Sequence, residues 1–340
     1  MPTARPTQHD VARAAGVSQA VVSYVLNDVQ SVTILPETRA RVQAAIAELG
    51  YVPNHTARSL RSRRTFTIAA IIPDITNPYY PELIRGIQDT ARDRAYDVLA
   101  FNTDGDRARE WAALDAARRN RADGLIITPF FVTVDDLVPI LSGGTPITLL
   151  TELRGNVPPD LPLDATSISG ADAARTVVSY LIARGHTRIG MISGQIATPP
   201  RESRVHGYQR ALKEHHVPLE VNLIRGGDFT ESGGYEAMRE LLGLVPRPTA
   251  VFAANDLMAM GALIACREAG VTVPQEIALA GFDDIPAAKL VHPPLTTLNQ
   301  HAHSTGRRAA ELVFSRLDGT YSGPARRERL GFDLVPRESA

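Results

Sequence analysis

Residues 10–27 read Asp-Val-Ala-Arg-Ala-Ala-Gly-Val-Ser-Gln-Ala-Val-Val-Ser-Tyr-Val-Leu-Asn, and this stretch decides the N-terminal fold. Gly16 supplies a tight turn between two short helices, because glycine adopts a left-handed backbone without strain. Ser18 can cap the second of these helices, which we predict over 19–26. That helix leaves small and polar side chains accessible on one face, and such a face suits insertion into the major groove of DNA.

Residues on either side of this stretch complete the predicted N-terminal domain, which we call the head. Thr7 precedes a helix predicted over 8–14, and Asp10 follows it at the spacing of a capping box. Pro36 opens a further helix, which ends at Gly50. Helix, glycine turn and helix, buttressed by a third helix, predict a helix-turn-helix head.

The second helix carries the candidate DNA contacts. Three of them can bond phosphates, namely Ser18, Ser23 and Asn27. Three others can meet base edges, namely Gln19, Ala20 and Tyr24. Residues 1–64 hold eight arginines against four carboxylates, a net charge of +4, while the whole chain has a net charge of −1. A basic head on a mildly acidic body is typical of a nucleic-acid-binding module. The helix pattern alone also fits a protein-docking module.

The composition excludes several classes of protein. With 340 residues, 44% hydrophobic and 21% charged, the chain fits two or three globular domains. One cysteine, Cys266, excludes an intramolecular disulfide and a cysteine-based zinc site. No uncharged apolar run approaches the ~18 residues that span a bilayer, and charged residues stand where a secretory signal needs an apolar core. We therefore expect a cytoplasmic protein with no membrane partner.

From residue 66 onward, strand-like runs alternate with helical stretches. We predict strands at Thr67–Ile72, Asp97–Phe101, Gly124–Thr128, Ile147–Leu150, Arg188–Ile192, Ala250–Ala253 and Ile277–Ala280. We predict helices between them, roughly at 79–94, 107–119, 170–184, 203–215, 232–242 and 256–269. Strands joined by crossover helices imply parallel sheets with helices on both faces. A segment of about 270 residues favours two α/β lobes with a cleft.

Short motifs over nearly the whole chain carry a resemblance to a known family. Besides residues 10–27 they are Tyr51-Val-Pro-Asn54, Ala57-Arg-Ser-Leu60, Pro73-Asp-Ile-Thr-Asn-Pro78, Gly185-His186, Arg204-x-x-Gly-Tyr208, Ala254-Asn-Asp256, Gly281-Phe-Asp-Asp284 and Pro293-Pro-Leu-Thr-Thr297. By these motifs the chain resembles the LacI/GalR family of bacterial transcription regulators. The resemblance implies an α/β protein with an all-α helix-turn-helix head. It also implies a two-lobed core of doubly wound parallel sheets, like that of periplasmic binding proteins.

The resemblance also suggests domain boundaries. The predicted parts are the head, 1–52; a hinge helix or linker, 53–65; a first core lobe, 66–165 with about 300–328 returning to it; and a second core lobe, 166–299 with about 329–338. By resemblance, residues 54–61 form a helix on operator DNA, with Leu60 wedged into the minor groove. Asn54, Ala57 and Arg58 are the other DNA contacts implied there. Without the resemblance, this basic segment fits a flexible linker.

Loops that follow core strands carry candidate ligand-binding residues, because open α/β sheets bind ligands at strand ends. The resemblance places eleven residues around an effector pocket: Asn77, Tyr79, Tyr80, Thr128, Thr151, Ile168, Arg204, Phe229, Asn255, Asp283 and Gln300. Arg204 and Asp283 suit a sugar-like ligand, since each can bind adjacent hydroxyls. Tyr80 and Phe229 leave open a purine or another planar effector. For Asp256 and Asp284 we favour a helix cap or a surface ion pair.

Several residues depart from the family pattern. Tyr24 stands where members that read guanine carry arginine, and tyrosine cannot make that bidentate pair. The loop 28–37 is two residues longer than usual. Thr151 replaces an aspartate, and residues 167–170 replace a Val-Asp-Asn-like stretch, so the pocket has fewer carboxylates.

We expect a ligand-responsive transcription regulator, a repressor that binds a palindromic operator as a homodimer. The final residues carry no heptads, so we do not expect a coiled-coil tetramer. The alternatives are a solute-binding protein, which would need a signal peptide and no head, and an α/β enzyme of sugar or nucleotide metabolism. Motifs for phosphate loops and serine nucleophiles do not occur. We expect no catalysis, cofactor or metal, since His301 and His303 have no ligand grouping.

Overall fold

The computed structural model describes residues 6–26, 32–52, 64–151, 158 and 161–340. The chain divides into two compact units, residues 1–65 and 66–340. The predicted hinge helix 54–61, with Asn54, Ala57, Arg58 and Leu60, lies outside the described residues. Asn27 and the first part of the loop 28–37 also lie outside them.

The first unit contains three helices, α1 (Gln8–Ala15), α2 (Gln19–Leu26) and α3 (Pro36–Leu49). Thr7 and Asp10 form the predicted capping box, because the Asp10 amide donates to the Thr7 hydroxyl and the Thr7 amide donates to the Asp10 carboxylate. Gly16 and Gly50 end α1 and α3 with φ angles of 63° and 60°, which favour glycine. The Val21 amide donates to the Ser18 hydroxyl at the start of α2.

A small apolar core holds the three helices together. Val11 of α1, Val22 and Val25 of α2, and Val42 and Ala45 of α3 are buried against one another. The spacing of these residues matches one apolar stripe on each helix. The predicted helix-turn-helix arrangement is confirmed.

The second unit alternates strands and helices. In chain order the elements are β1 (Thr67–Ile72), α4 (Tyr79–Arg92), β2 (Asp97–Asn102), α5 (Arg107–Ala116), β3 (Gly124–Ile127), α6 (Val134–Ser142), β4 (Ile147–Leu149), β5 (Leu163–Ser167), α7 (Gly170–Ala183), β6 (Ile189–Ser193), α8 (Pro199–Glu214), β7 (Ile224–Gly226), α9 (Glu231–Leu242), β8 (Ala250–Ala253), α10 (Asp256–Glu268), β9 (Ala278–Ala280), β10 (Thr297–Asn299), α11 (Ala302–Leu317), β11 (Arg327–Arg329) and β12 (Asp333–Val335). Within the described residues, no helix is both long enough and apolar enough to cross a bilayer.

The first lobe is built on a parallel six-stranded sheet in the order β11-β5-β4-β3-β1-β2. Alternate residues of β1 point to opposite faces. Ala69 and Ile71 pack with α5 and α6, whereas Ile68 and Ala70 pack with α4 and α11. Both faces are therefore covered, and the doubly wound arrangement is confirmed for this lobe.

The second lobe has a parallel four-stranded sheet in the order β7-β6-β8-β9. Its large core takes apolar residues from α7, α8, α9 and α10. A two-stranded antiparallel sheet of β10 and β12 adds Leu298 and Leu334 to this core.

The chain passes between the lobes three times, after β5, after β10 and after β11. Our strand prediction lacks β5, because Asp164 and Thr166 interrupt its apolar pattern. The predicted lobe boundary at residue 166 stays a prediction. The strand that straddles it pairs entirely within the first lobe's sheet.

Asp164 ties the returning segment to the first lobe. Its carboxylate is fully buried and accepts hydrogen bonds from Arg316 Nε at 2.7 Å and Arg326 Nη2 at 2.6 Å. The Arg326 amide also donates to it at 2.8 Å, and the Arg326 guanidinium stacks on the Tyr321 ring. Burial opposes ionisation, but the two guanidiniums outweigh it and hold the pKa of Asp164 below its usual value.

Asp164→Asn leaves two largely buried guanidiniums without their anion. We expect a loss of about 3–5 kcal/mol in the free energy of unfolding of the full chain, measured by urea denaturation with circular dichroism. Asp115→Asn is the matched control, because Asp115 pairs with Arg118 on the exposed surface of the same lobe. The control variant should lose at most about 1 kcal/mol. Equal losses in the two variants would contradict this role of Asp164.

Candidate functional site

A cavity of about 390 Å³ lies between the two lobes. All eleven residues proposed from the sequence line it, namely Asn77, Tyr79, Tyr80, Thr128, Thr151, Ile168, Arg204, Phe229, Asn255, Asp283 and Gln300. They come together because the carboxyl ends of the strands in both sheets face the cleft. Tyr79 and Tyr80 follow β1, Thr128 follows β3 and Asn255 follows β8.

A buried polar cluster occupies the floor of the cleft. Asp283 accepts a hydrogen bond from Gln300 Nε2 at 2.5 Å, and Arg204 Nη2 lies 3.9 Å from the same carboxylate. The Arg204 and Asp283 side chains are 12% and 5% exposed. Arg204 also donates to the Ala254 carbonyl at 2.8 Å, so its orientation is fixed from two sides.

The Asp283 carboxylate has an unusual protonation equilibrium. Burial raises its pKa to about 6, although Arg204, Gln300 and Asn77 oppose this shift. Its backbone has a φ of 122°, which is strained for a residue with a side chain. An anion and a cation in a low-dielectric cleft can each bind a ligand hydroxyl strongly.

Aromatic rings form the remaining walls. Tyr79 and Tyr80 pack edge to face with centroids 5.1 Å apart, and burial raises the pKa of both hydroxyls, so they stay protonated. The ring centroids of Phe130 in the first lobe and Phe229 in the second lie 6.1 Å apart, with the ring planes tilted by 47°, so the two rings are in contact across the cleft. Such surfaces suit the apolar face of a sugar or a planar ring.

The side chains of some residues near the cleft make structural hydrogen bonds. Asn255 caps α10 through the Met258 amide and donates to the Phe229 carbonyl at 2.8 Å. Asp256 is buried, accepting from the Thr297 hydroxyl. Asp284 pairs with Arg337 at 2.6 Å and is only partly exposed. The structural roles that we favoured for Asp256 and Asp284 are consistent with these contacts, although neither lies on the open surface.

The structure adds lining residues that sequence reasoning missed. They include Asp74, Asp104, Phe130, Thr166, Gln195, Pro199, Pro200, Ser203 and Asp228. Phe130 follows β3 and was accessible to the same strand-end argument, whereas Thr166 belongs to the unpredicted strand β5. Gln195 Nε2 donates to the Gly105 carbonyl at 3.3 Å, a contact between lobes that no local pattern indicates.

The accessible face of α2 is the second candidate surface. Ser18, Gln19 and Ala20 are exposed, and Tyr24 is half-buried. The prediction that Ser23 is accessible is wrong, because it is only 8% exposed. Ser23 lies between the buried Val22 and Val25 along a short helix, so its small side chain is covered together with theirs.

Comparisons with known proteins match two segments of the chain to described families. Residues 7–54 match the family described as bacterial regulatory proteins, lacI family, and residues 178–340 match the periplasmic binding protein-like domain. The ribose operon repressor of Escherichia coli strain K12 is 37% identical over 313 residues, which cover 92% of this chain and 93% of that protein.

Two solved structures are similar over almost the whole chain. The transcriptional regulator CelR–cellobiose complex has a TM-score of 0.73 and 32% identity, covering 99% of this chain and 100% of that one. The lac repressor dimer bound to operator and the anti-inducer ONPF has a TM-score of 0.85 and 26% identity, covering 98% of each chain.

The raised pKa of Asp283 gives a testable pH dependence. The folded chain binds this proton more tightly than the unfolded chain, whose aspartate pKa is about 3.9. The stability contributed by this group is therefore complete below about pH 4 and is lost as the pH rises through about 6. Compared with Asp283→Asn, the unaltered chain should lose up to about 3 kcal/mol of unfolding free energy between pH 4 and 7.

Urea denaturation of both proteins at several pH values measures this difference, and other carboxylates cancel because both chains carry them. A difference that stays constant from pH 4 to 7 would show that Asp283 has an ordinary pKa.

Proposed function

The chain belongs to the lacI family of bacterial regulatory proteins, and we propose that it is a repressor whose dimer binds a palindromic operator under the control of a small molecule. One observation supports the DNA-binding part of this proposal most strongly. Gln19, Ala20 and the half-buried Tyr24 lie on one side of the second helix of a helix-turn-helix unit, and the exposed Ser18 directly precedes that helix. Such a helix enters the major groove, where amide and hydroxyl groups meet base edges.

A homodimer presents two such helices, related by two-fold symmetry. Its operator should therefore be a palindrome with half-sites about one helical turn apart. The similarity to the lac repressor dimer on its operator supports this arrangement.

The cleft supports the effector-binding half. Arg204, Asp283 and Gln300 offer charged and amide groups at several angles, as a polyhydroxylated ligand requires. The similar CelR structure contains cellobiose, and the similar E. coli repressor is named for the ribose operon. These similarities favour a sugar-like effector. The apolar surfaces of Tyr80 and Phe229 in the cavity keep a purine or another planar group as the second candidate.

We propose that the ligand is bound without being converted. The similar E. coli protein is a repressor, and the two similar structures are of a regulator and a repressor. The comparisons therefore favour ligand binding over enzyme activity. A repressor works where the chromosome is, which in a bacterium is the cytoplasm.

Ligand and DNA binding should be coupled. The chain passes between the lobes three times, so a ligand that changes the distance between the lobes moves the first lobe relative to the second. The first lobe is the part of the core that follows the head along the chain. Coupling of this kind is typically about 1–3 kcal/mol and is reciprocal.

Gln19→Ala and Tyr24→Ala should weaken operator binding. The probe is a duplex that the full chain selects from a randomised pool, and binding is measured by fluorescence anisotropy. Each variant should lose about tenfold or more in affinity, since one base contact contributes roughly 1–3 kcal/mol. Binding to random duplex should change little, because phosphate contacts supply it.

Gln43→Ala is the matched control, because Gln43 is an exposed glutamine on α3. Equal affinities of Gln19→Ala and Gln43→Ala for the selected duplex would contradict the assignment of α2. Failure of the chain to select any sequence would contradict the proposed function.

A further inference from the structure

Helix α2 and the turn before it carry no charged side chain. Residues 16–26, which include the turn and the whole of α2, contain no aspartate, glutamate, lysine, arginine or histidine. The arginines in the described part of the head lie on the other two helices, Arg13 on α1 and Arg39 and Arg41 on α3. Such arginines can bind phosphates, whereas the base edges next to α2 meet only neutral groups.

This neutrality restricts the bases that α2 can read. In the major groove, guanine presents two acceptors, N7 and O6, and its commonest specific partner is an arginine or a lysine. Neither residue type occurs on α2. Adenine presents one acceptor, N7, and one donor, the N6 amino group, so its partner needs a donor and an acceptor together. The composition of α2 therefore suits adenine better than guanine.

Gln19 has both groups that adenine requires. It is the first residue of α2 and is exposed, and the N-terminal residues of such a helix contact base edges. Its amide nitrogen can donate to N7 while its carbonyl oxygen accepts from the N6 amino group. Opposite guanine, the same carbonyl oxygen would face the O6 acceptor and would lose its hydration without gaining a donor. The two ends of this one amide thus select adenine over guanine.

Ala20 and Tyr24 place apolar surface beside Gln19. Ala20 is exposed, and Tyr24, four residues later on the same face of α2, is half-buried. The side chain of Ala20 is a single methyl group. It suits the C5-methyl group of thymine, because contact removes both methyl groups from water. Cytosine lacks this methyl group, and its N4 amino group would find no acceptor on Ala20.

We propose that in each operator half-site α2 reads an adenine and a thymine within one base pair of it, and reads no guanine. Gln19 bonds the N6 and N7 atoms of the adenine, and Ala20 packs on the methyl group of the thymine. This inference rests on the proposed function and names the bases that its major-groove contacts recognise. It assigns the base specificity of α2 to two neutral side chains.

Selection from a randomised duplex pool identifies the base that each side chain reads. The full chain and its variants Gln19→Ala and Ala20→Gly each select duplexes, which are then sequenced. Gln19→Ala should lose the preference at one adenine of each half-site and keep the other preferences. Ala20→Gly should lose the preference at a thymine within one base pair of that adenine. Alanine is a better helix former than glutamine, so the loss in Gln19→Ala does not come from a weakened helix.

Replacement of one atom in the DNA tests the adenine contact directly. At the Gln19-dependent position of the selected duplex, 7-deazaadenine replaces N7 with a C–H group and leaves the base pair intact. Fluorescence anisotropy should show an affinity loss of at least fivefold for the full chain and less than twofold for Gln19→Ala. The matched control places 7-deazaadenine at an adenine whose preference Gln19→Ala leaves unchanged. There both proteins should change in affinity by the same factor.

Deoxyuridine tests the thymine contact, because it differs from thymidine only in lacking the C5-methyl group. At the Ala20-dependent position it should lower the affinity of the full chain about fourfold, as expected for one buried methyl group. Ala20→Gly should bind the thymine and deoxyuridine duplexes with affinities within 1.5-fold of each other. Because each protein is compared with itself, this test holds even where glycine weakens α2.

The outcomes separate this inference from the proposed function. If the full chain selects a duplex in which the Gln19-dependent position is a G·C pair, or in which no position depends on Gln19, this inference is wrong and DNA binding stands. Equal losses of the full chain and Gln19→Ala with 7-deazaadenine also overturn it, and so do equal losses of the full chain and Ala20→Gly with deoxyuridine. If the full chain selects no duplex, the proposed function and this inference fail together.

Discussion

The burial of the Asp283 carboxylate where the lobes meet is the constraint on which the cleft depends. Arg204 comes from the second lobe, Asn77 from the first, and Gln300 from the segment that returns between them. A charge in this position is tolerated only while its partners stay close, because the surrounding protein screens poorly. Any change in the separation of the lobes therefore changes the energy of this one group, and a ligand that bonds to it acts on both lobes.

Two other carboxylates hold distant segments together within a lobe. Asp164 holds Arg316 and Arg326 beside β5, and Asp284 holds Arg337 near the start of β10. Each links segments far apart in sequence, Asp164 within the first lobe and Asp284 within the second. Gln195 Nε2 donates to the Gly105 carbonyl, which is a direct contact between the lobes at the cleft.

The sequence predicted what is local or repeats regularly. The capping box at Thr7, the turn at Gly16 and the apolar strand β1 follow from short-range preferences, and the strand-end argument with the family resemblance brought eleven residues to one cavity. It missed strand β5, because burial of Asp164 requires arginines about 150 residues away. It misjudged Ser23, whose burial depends on tertiary packing, and it made no prediction about the Phe130–Phe229 contact, which exists only once the lobes are assembled.

Operator affinity measured with the cleft empty and then saturated tests most directly whether Asp283 transmits the ligand signal. The unaltered chain, saturated with the small molecule that it binds most tightly in a calorimetric screen of sugars and nucleobases, should change its operator dissociation constant at least fivefold. Asp283→Asn should bind the bare operator normally. When calorimetry shows that its cleft is saturated, its operator affinity should change by less than twofold. A saturated variant that responds as strongly as the unaltered chain would contradict the account.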